Sequence, residues 1–458
     1  MIKPTSKPSA QASDFYLAGR RVGAWQNAWA LAGDYLSAAA FLGAIALYYS
    51  AGLDSLYYAV ATLLGWPLLL ILFADRLRAT GAYTLTGVLQ QRFGSVRLQA
   101  LSAGTSLFVS VFYLLVQLIG AGKLLSLLFG WGYGSALVVM CGLTLLLVFF
   151  GGMRATTLVQ SVKAMCLFAC ALVLVGLVWH AFDFQLPQLW RSVVEQRPQA
   201  LLPSLALSDP IEQASLVLGL VLGLLGLPHV LMRFFTVRNP QVAIRSAAYA
   251  GALIGLFFSL NVIVGFGALV LLDGQILSGG GHMVLLHLAQ MLGGATMQWL
   301  LSGVVLLTIL AVLAGLVMAA SASLNRDILP LLFGQQAQRP LWAKGGIVLL
   351  LSVGGVLAWL FEDFNLAFLF GLAFAWAASA HFPVLWAQFF MPRLNERAAF
   401  YGLLSGAVIS TVLIVLSPTV WVGVLGFEAA IFPWSNPTLF ALPCSFLVIV
   451  GLSQRTST

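Results

Sequence analysis

Long apolar runs separated by short polar segments make up most of the chain. Each run is close to the roughly 20 residues that a helix needs to cross the ~30 Å hydrocarbon core of a bilayer. The pattern therefore predicts an all-α polytopic membrane protein with about twelve transmembrane helices. We expect them at residues 27–49, 56–74, 100–128, 133–150, 154–181, 215–232, 243–272, 296–320, 343–361, 364–390, 398–416 and 437–452.

Composition supports a location in the bilayer. Hydrophobic residues are 61% of the 458 residues and charged residues only 8%, which is more apolar surface than a soluble core could hide. The net charge of +8 could suggest nucleic acid as a partner, but the positions of the basic residues give another explanation. We therefore expect a lipid bilayer and a small solute as partners, and no nucleic acid.

The loops between the predicted helices alternate in charge. One set is basic and the other is mainly acidic, so the positive-inside rule places both termini, including segment 1–26, in the cytoplasm. We expect the inner membrane of a bacterial cell. The basic set contains Lys3, Lys7, Arg20, Arg21, Arg76, Arg78, Arg92, Arg97, Arg154, Arg233, Arg238, Arg245, Arg326, Arg339, Lys344, Arg393, Arg397 and Arg455. The acidic set contains Asp54, Asp183, Glu195, Asp209, Glu212, Asp273, Glu362, Asp363 and Glu428.

A carboxylate lies inside the first apolar run. Asp34 stands a third of the way along residues 27–49, where insertion of a charge costs about 3 kcal/mol. Such a residue usually faces an ion path or a cavity, and the sequence shows no obvious partner for Asp34. The alternative is a packing role, in which the carboxylate bonds to a neighbouring helix. The adjacent Gly33 would allow the helix to be interrupted there, which would free carbonyl oxygens to bind a cation.

A second interruption is predicted five spans later. Gly226-Leu227-Pro228-His229 places a glycine and a proline within the sixth apolar run. Paired interrupted helices at matching positions of two halves are typical of transporters built from inverted repeats, with the binding site near the membrane midplane. The pairing favours a carrier.

Motifs of other function classes are missing from the sequence. Gly120-Ala121-Gly122-Lys123 lacks the upstream glycine of a phosphate-binding loop and falls inside a predicted span. No zinc-ligand or nucleophile-elbow pattern occurs, and no repeated selectivity-filter motif occurs. We therefore expect neither an enzyme, nor a pump driven by ATP, nor a channel, and we expect no cofactor apart from a coupling ion.

Several motifs resemble the sodium/solute symporter family, in particular its acetate permease (cation/acetate symporter) branch. They are residues 14–20 (DFYLAGR), residues 151–157 (GGMRATT), residues 226–235 (GLPHVLMRFF) and residues 321–327 (SASLNRD). The resemblance implies an inverted five-plus-five helix repeat, here residues 27–181 and 215–390, followed by two peripheral helices within 398–458. It also implies alternating-access symport of small monocarboxylates, such as acetate, glycolate or pyruvate, with Na⁺ or H⁺. Relatives usually carry one more amino-terminal span.

The resemblance also implies a cation position between the first and eighth spans. Carbonyl oxygens of Ala32 and Tyr35 would bind the ion, Asp34 would supply charge and Ser37 a hydroxyl group. The eighth span departs from the family pattern, because hydroxyl positions fall on Ala311 and Val312. Only Thr308, one turn earlier, could contribute, and fewer hard oxygen ligands weaken a sodium site.

The fifth span departs from the family pattern in the same way. Its family aspartate falls on Gln160, and Lys163 follows one turn later. Lys163 could extend to the cytoplasmic interface. Alternatively its ammonium group occupies the cation position, which would favour proton coupling, as in some proton-coupled carriers of this architecture.

Four residues are candidates for contact with the substrate. His229 could donate to a carboxylate, or could instead bond to a carbonyl freed by Pro228. Ser37 and Phe41 flank the first interruption. Lys123 could attract an anion, although an interfacial role is the simpler reading.

Other residues have simpler interpretations, and two other functions stay open. Arg233 is interpreted as a cytoplasmic anchor, and His381, just before Pro383, as part of a kink. An amino-acid symporter of the same family is one alternative function. A membrane sensor that keeps the transporter fold is the other, and we would expect it to carry an additional cytoplasmic domain.

Overall fold

A computed structural model describes residues 17–37, 39–202, 209–275, 283–334, 340–362 and 366–454. Their regular structure is helical, as predicted, apart from one isolated bridge between Val22 and Val237. Most of the predicted cytoplasmic segment 1–26 lies outside the described residues, and so do Asp363, Arg339 and Arg455.

Seventeen α-helices are numbered here in chain order. They are α1 Ala24–Tyr35, α2 Ala44–Ala51, α3 Ser55–Leu72, α4 Ala74–Thr80, α5 Leu85–Phe93, α6 Val96–Phe129, α7 Tyr133–Ala181, α8 Leu186–Gln196, α9 Pro210–Leu224, α10 Pro228–Thr236, α11 Pro240–Leu271, α12 Val284–Ala322, α13 Leu329–Phe333, α14 Pro340–Leu360, α15 Leu366–Phe390, α16 Glu396–Val415 and α17 Thr438–Gln454. Short π-helical segments occur at Ala39–Gly43, Ser323–Ile328 and Pro418–Val422.

Nine segments of the described chain are long and apolar enough to cross a membrane, which is fewer than the twelve predicted spans. The difference comes from helices that run on without a gap. Segment Ala40–Leu72 joins the end of the first predicted span to the second, and Tyr133–Ala181 joins the fourth to the fifth. The twelfth predicted span corresponds to Thr438–Gln454, which is shorter than the others.

The first predicted span is interrupted, as expected. Helix α1 ends at Tyr35, Leu36 and Ser37 are not helical, and the π-helix Ala39–Gly43 leads into α2. The sixth predicted span is interrupted as well, because α9 ends at Leu224 and α10 begins at Pro228. Proline has no N–H group to continue a helix and is well suited to begin a new one.

Helix α7 changes direction at Gly152. This residue has φ 54° and ψ −154°, a conformation that residues with a side chain rarely adopt. The predicted loop between spans four and five is therefore reduced to one bend. The second part of α7 then packs against α1 and, most extensively, against α12, which places the residues of these helices in the core.

The basic loops meet at one end of the molecule. Arg20 donates to the carbonyl oxygen of Gly81 at 2.5 Å, and Arg78 donates to that of Val237 at 2.6 Å. Arg92 donates to the carbonyl oxygen of Met391 at 3.0 Å. Four of the predicted basic segments are thus joined by direct hydrogen bonds.

The acidic loops contact one another and not the basic loops in the hydrogen bonds described here. Arg197 pairs with Asp273 at 2.5 Å, and Asp209, which caps α9, accepts a hydrogen bond from the indole of Trp434 at 2.9 Å. This indole hydrogen bond and the amide N–H groups at the start of α9 hold the pKa of Asp209 below its ordinary value. The loop before α17 is thereby attached to the beginning of the interrupted sixth span.

Candidate functional site

Asp34 and Arg233 form a buried ion pair that joins the two interrupted helices. The Nε atom of Arg233 donates to Oδ2 of Asp34, and the Nη2 atom donates to Oδ1 at 3.1 Å. The two side chains are 2% and 1% exposed. Asp34 therefore has a charged partner, and Arg233 is not a cytoplasmic anchor as the sequence suggested. Hydropathy placed the end of the sixth span at residue 232, whereas α10 continues to Thr236 and keeps Arg233 inside.

Gln160 bridges this pair to the eighth span. Its Nε2 atom donates to Oδ1 of Asp34 at 2.5 Å and to the carbonyl oxygen of Ala311 at 2.7 Å. Both neighbours accept hydrogen bonds, so the nitrogen of the amide must face them. An amide nitrogen thus lies between the carboxylate of Asp34 and the backbone of Ala311, two residues of the predicted cation position.

Lys163 lies one turn further along α7. Its side chain is fully buried, and Nζ is 3.4 Å from the carbonyl oxygen of Thr308. The prediction that Lys163 extends to the membrane interface is therefore wrong, whereas its ammonium group does lie beside a predicted ligand. The hydroxyl of Thr308 donates to its own helix, at the carbonyl oxygen of Val304, 2.7 Å away.

The predicted ligands on α1 are occupied by local hydrogen bonds. The carbonyl oxygen of Ala32 accepts from the N–H of Leu36 at 2.7 Å, and that of Tyr35 accepts from the N–H of Ser37 at 2.8 Å. The hydroxyl oxygen of Ser37 accepts from the N–H of Ala40 at 3.3 Å. The oxygen atoms at the first interruption therefore accept hydrogen bonds from N–H groups of the same turn.

Close helix packing brings these groups together. A Cβ atom at Gly33 would lie 2.3 Å from the carbonyl oxygen of Gln160, so only glycine lets α1 approach α7 this closely. The small residue next to Asp34 thus places the carboxylate within reach of the amide of Gln160 and, beyond it, of Ala311.

A second group of residues lies at the two interruptions. The ring of His229 is buried and lies 5.2 Å from the ring of Tyr113 on α6, centroid to centroid. The hydroxyl of Tyr113 interacts with that of Ser37. Within the described part of the chain, Nδ1 of His229 has no hydrogen-bond partner. Tyr113 therefore links the interruption of the first span to that of the sixth.

The carbonyl freed at the sixth interruption is bound by a different histidine. Nδ1 of His381 on α15 lies 2.7 Å from the carbonyl oxygen of Gly226, and Nε2 lies 3.2 Å from the hydroxyl of Thr105. His381 thus stabilises the interruption, in addition to lying near Pro383. His229 is not satisfied by that carbonyl.

Two other candidates for substrate contact lie outside the buried site. Lys123 is exposed on α6, close to the end of that helix, which agrees with the interfacial interpretation and not with contact to the substrate. Phe41 is buried with its ring 5.2 Å from that of Phe257 on α11, so core packing accounts for it.

Sequence reasoning missed four residues of the site. Arg233 donates to the hydroxyl of Thr157 at 2.7 Å and lies near the sulfur of Met153, 3.9 Å from Nη1. Both contacts come from the 151–157 motif, which was recognised without a role for its side chains. The signal for Arg233 was its position four residues after His229, on the same face of a helix. Tyr113 carried no comparable signal.

The buried site has a simple charge balance. Asp34 and Arg233 cancel, so the net charge is set by Lys163. It is zero when the lysine is neutral and +1 when the lysine is protonated. A protonated site would attract an anion, because a charge in this low-dielectric interior is poorly screened.

Comparison with known proteins connects this arrangement to transport. Residues 15–406 match the sodium:solute symporter family. The chain belongs to this family. It is therefore a solute symporter and a multi-pass membrane protein, not an enzyme, and its partners are a small-molecule solute and membrane lipid.

Solved structures share the fold of the symporter. A Na⁺-coupled sialic acid symporter in a substrate-bound outward-open state is 13% identical, with a TM-score of 0.76 over 97% of this chain and 92% of that one. Mhp1, a nucleobase-cation-symport-1 family transporter, in a closed conformation with bromovinylhydantoin bound, is 16% identical. Its TM-score is 0.62 over 99% of this chain and 95% of that one. The predicted all-α, inverted-repeat transporter fold is confirmed, while the exact repeat boundaries stay a prediction.

Proposed function

We propose that this symporter takes up small monocarboxylates together with a proton by alternating access. The observation that carries the proposal is the position of Lys163, whose buried ammonium group lies beside the carbonyl oxygen of Thr308 at the predicted cation position. A lysine is able to take up and release a proton, and its protonated form carries the positive charge that a bound cation would supply. Proton binding there takes the role that the family assigns to a metal cation.

Charge balance supports an anionic substrate. Protonation of Lys163 leaves one excess positive charge, because the charges of Asp34 and Arg233 in the same site cancel. A bound carboxylate would neutralise it, so one proton and one monocarboxylate would cross together without net charge. Nδ1 of His229, buried at the sixth interruption, is available as a hydrogen-bond partner.

The site gives less support to an amino-acid substrate. The ammonium group of an amino-acid substrate would need a carboxylate as its partner. Both oxygens of Asp34 already accept hydrogen bonds from Arg233 and Gln160. The likeness of the 226–235 run to the acetate permease branch also favours monocarboxylates. We further propose a bacterial inner-membrane location with cytoplasmic termini, because the basic segments meet at one end of the molecule.

Transport into proteoliposomes tests the proposal. Labelled pyruvate is the better first probe, because uncharged acetic acid crosses lipid unaided, and protein-free liposomes serve as the control. We expect pyruvate to accumulate when the outside is more acidic than the inside. Acetate and glycolate should compete with pyruvate, whereas proline should not. Accumulation of proline, or of pyruvate only under a Na⁺ gradient at constant pH, would contradict the proposal.

A further inference from the structure

Arg233 places a guanidinium group beside Asp34, at the position where the family resemblance predicts a metal ion. Its guanidinium group is 1% exposed and contacts both oxygens of Asp34 through two different nitrogen atoms. A further nitrogen donates to Thr157 on α7 at 2.7 Å. Arg233 on α10 is therefore held by groups from α1 and α7 together, and its charge is directed at the carboxylate of Asp34.

The donors at this position do not fit a sodium ion. Sodium needs several oxygen ligands directed at one point, as other hard cations do. Here the nitrogen of Gln160 bridges Asp34 and the carbonyl oxygen of Ala311, where an ion joining α1 to α12 would have to lie. The carbonyl oxygen of Thr308 faces the ammonium group of Lys163.

Charge leads to the same conclusion as geometry. An added sodium ion would raise the net charge from zero to +1 with Lys163 neutral, and to +2 with Lys163 protonated. Like charges in a poorly screened interior repel, so a sodium ion beside Arg233 and Lys163 is disfavoured when no anion is bound.

We propose that Arg233 determines the coupling-ion selectivity of the transporter, because its guanidinium group holds Asp34 in place of a sodium ion. The proposal rests on the proposed function only in placing the cation position at Asp34 and the eighth span. It follows that the Asp34 position of the natural chain does not bind Na⁺. Removal of the guanidinium group frees both oxygens of Asp34 and leaves a net charge of −1 when Lys163 is neutral. Rotation of the Gln160 amide would then turn Oε1, which has no hydrogen-bond partner among the described residues, toward the ion.

Equilibrium binding of ²²Na⁺ to the purified full-length protein tests this inference without reference to any organic solute. We compare the wild type with Asp34→Asn, Arg233→Gln, Arg233→Met and the double variant Arg233→Gln/Asp34→Asn. Arg238→Gln is the matched control, because the Arg238 side chain is exposed and donates to the carbonyl oxygen of Arg21, away from the buried site. Size-exclusion profiles identify the variants that fold.

The expected result is no saturable binding to the wild type or to Arg238→Gln. Arg233→Gln or Arg233→Met should bind at least 10-fold more Na⁺ at the same concentration, and Asp34→Asn should remove that gain. Saturable binding to the wild type that Asp34→Asn abolishes would overturn the proposal, and so would a folded Arg233 variant that binds no Na⁺. If neither Arg233 variant folds, Na⁺ binding to the wild type is the remaining test, and saturable binding that depends on Asp34 would still overturn the proposal.

A wrong substrate class leaves this result unchanged, because no solute is present. Conversely, a negative result here would not alter a pyruvate uptake measurement. Failure of the selectivity proposal and failure of the proposed function are therefore distinguishable. A purely structural ion pair would also be distinguished, because its loss would change stability without creating Na⁺ binding.

Discussion

The carboxylate of Asp34 and the guanidinium group of Arg233 form an ion pair between the two interrupted helices of the transporter. Each residue comes from the helical part next to an interruption: Asp34 precedes Leu36 and Ser37, and Arg233 lies one turn after His229. Any movement of one interrupted helix relative to the other must move or break this pair. The distance between the two side chains should therefore differ between conformational states of the transporter.

Breaking the ion pair should destabilise the protein strongly. Asp34→Asn leaves a buried guanidinium group without its counter-charge, which costs about 3–5 kcal/mol in the free energy of unfolding. Arg233→Gln should cost a similar amount. The double variant should recover part of the loss, because residues in contact show coupling energies of about 0.5–3 kcal/mol.

Reversible unfolding in mixed detergent micelles measures these energies as a double-mutant cycle. Additive losses in the double variant would show that the two side chains do not stabilise each other. The sequence showed no obvious partner for Asp34, whereas the structure pairs it with Arg233, so we expect its substitution to affect stability as well as transport.

Hydropathy and helix-breaking residues were enough to predict most of the fold. The interruptions of the first and sixth spans were predictable because glycine and proline make helix breaks inexpensive. The first lies at Leu36 and Ser37, two to three residues after the predicted position at Gly33-Asp34, because α1 continues through both of these residues to Tyr35. The number of separate segments was less predictable. The bend at Gly152 needs only one residue, so an apolar run gives little indication of whether two helices are joined there.

The site was predictable only in part, because pairing across the molecule has no local signal. Gln160 and Lys163 were recognised as departures from a family pattern, and the structure does bring them to Ala311 and Thr308. Arg233 was placed at the interface because a charge normally ends a membrane span. Its burial depends on a partner 199 residues away, which no window of hydropathy can detect.

The close approach of α1 and α7 gives a prediction about packing. Gly33→Ala would place a Cβ atom 2.3 Å from the carbonyl oxygen of Gln160, a backbone atom that cannot rotate away. We expect a loss of about 1–3 kcal/mol in the free energy of unfolding, as is typical of overpacking, and a loss of transport because Gln160 is displaced.

Gly104→Ala on α6 is the matched control for this substitution. No atom lies within 4 Å of a Cβ at that position, so stability should be unchanged or slightly higher. Equal stability of the two variants in the same unfolding assay would mean that α1 and α7 are not packed as described.

His229 gives a prediction about substrate affinity. If its ring binds the carboxylate, His229→Ala and His229→Gln should raise the KM for pyruvate about 10-fold, because a hydrogen bond to a charged group contributes roughly 1.5–3 kcal/mol. The maximal rate should change less. His180→Gln is the control, since His180 is exposed at the end of α7. Unchanged KM values in both His229 variants would return this residue to core packing beside Tyr113.

Lys163 gives the sharpest prediction for coupling. Lys163→Met keeps an unbranched side chain of similar length but cannot bind a proton, so uptake driven by a pH gradient should fall at least ~10-fold, equivalent to about 1.4 kcal/mol. Exchange of labelled for unlabelled pyruvate needs no net proton movement and should survive at saturating pyruvate, with a higher KM because the positive charge that attracts the carboxylate is lost. Lys123→Met serves as the control, because Lys123 is exposed and should leave both reactions unchanged. Full pH-driven uptake by a well-expressed Lys163→Met protein would show that the proton is carried elsewhere. Loss of exchange together with uptake would instead assign Lys163 to solute binding or folding, because a residue that only couples the proton is not needed when solute moves in both directions.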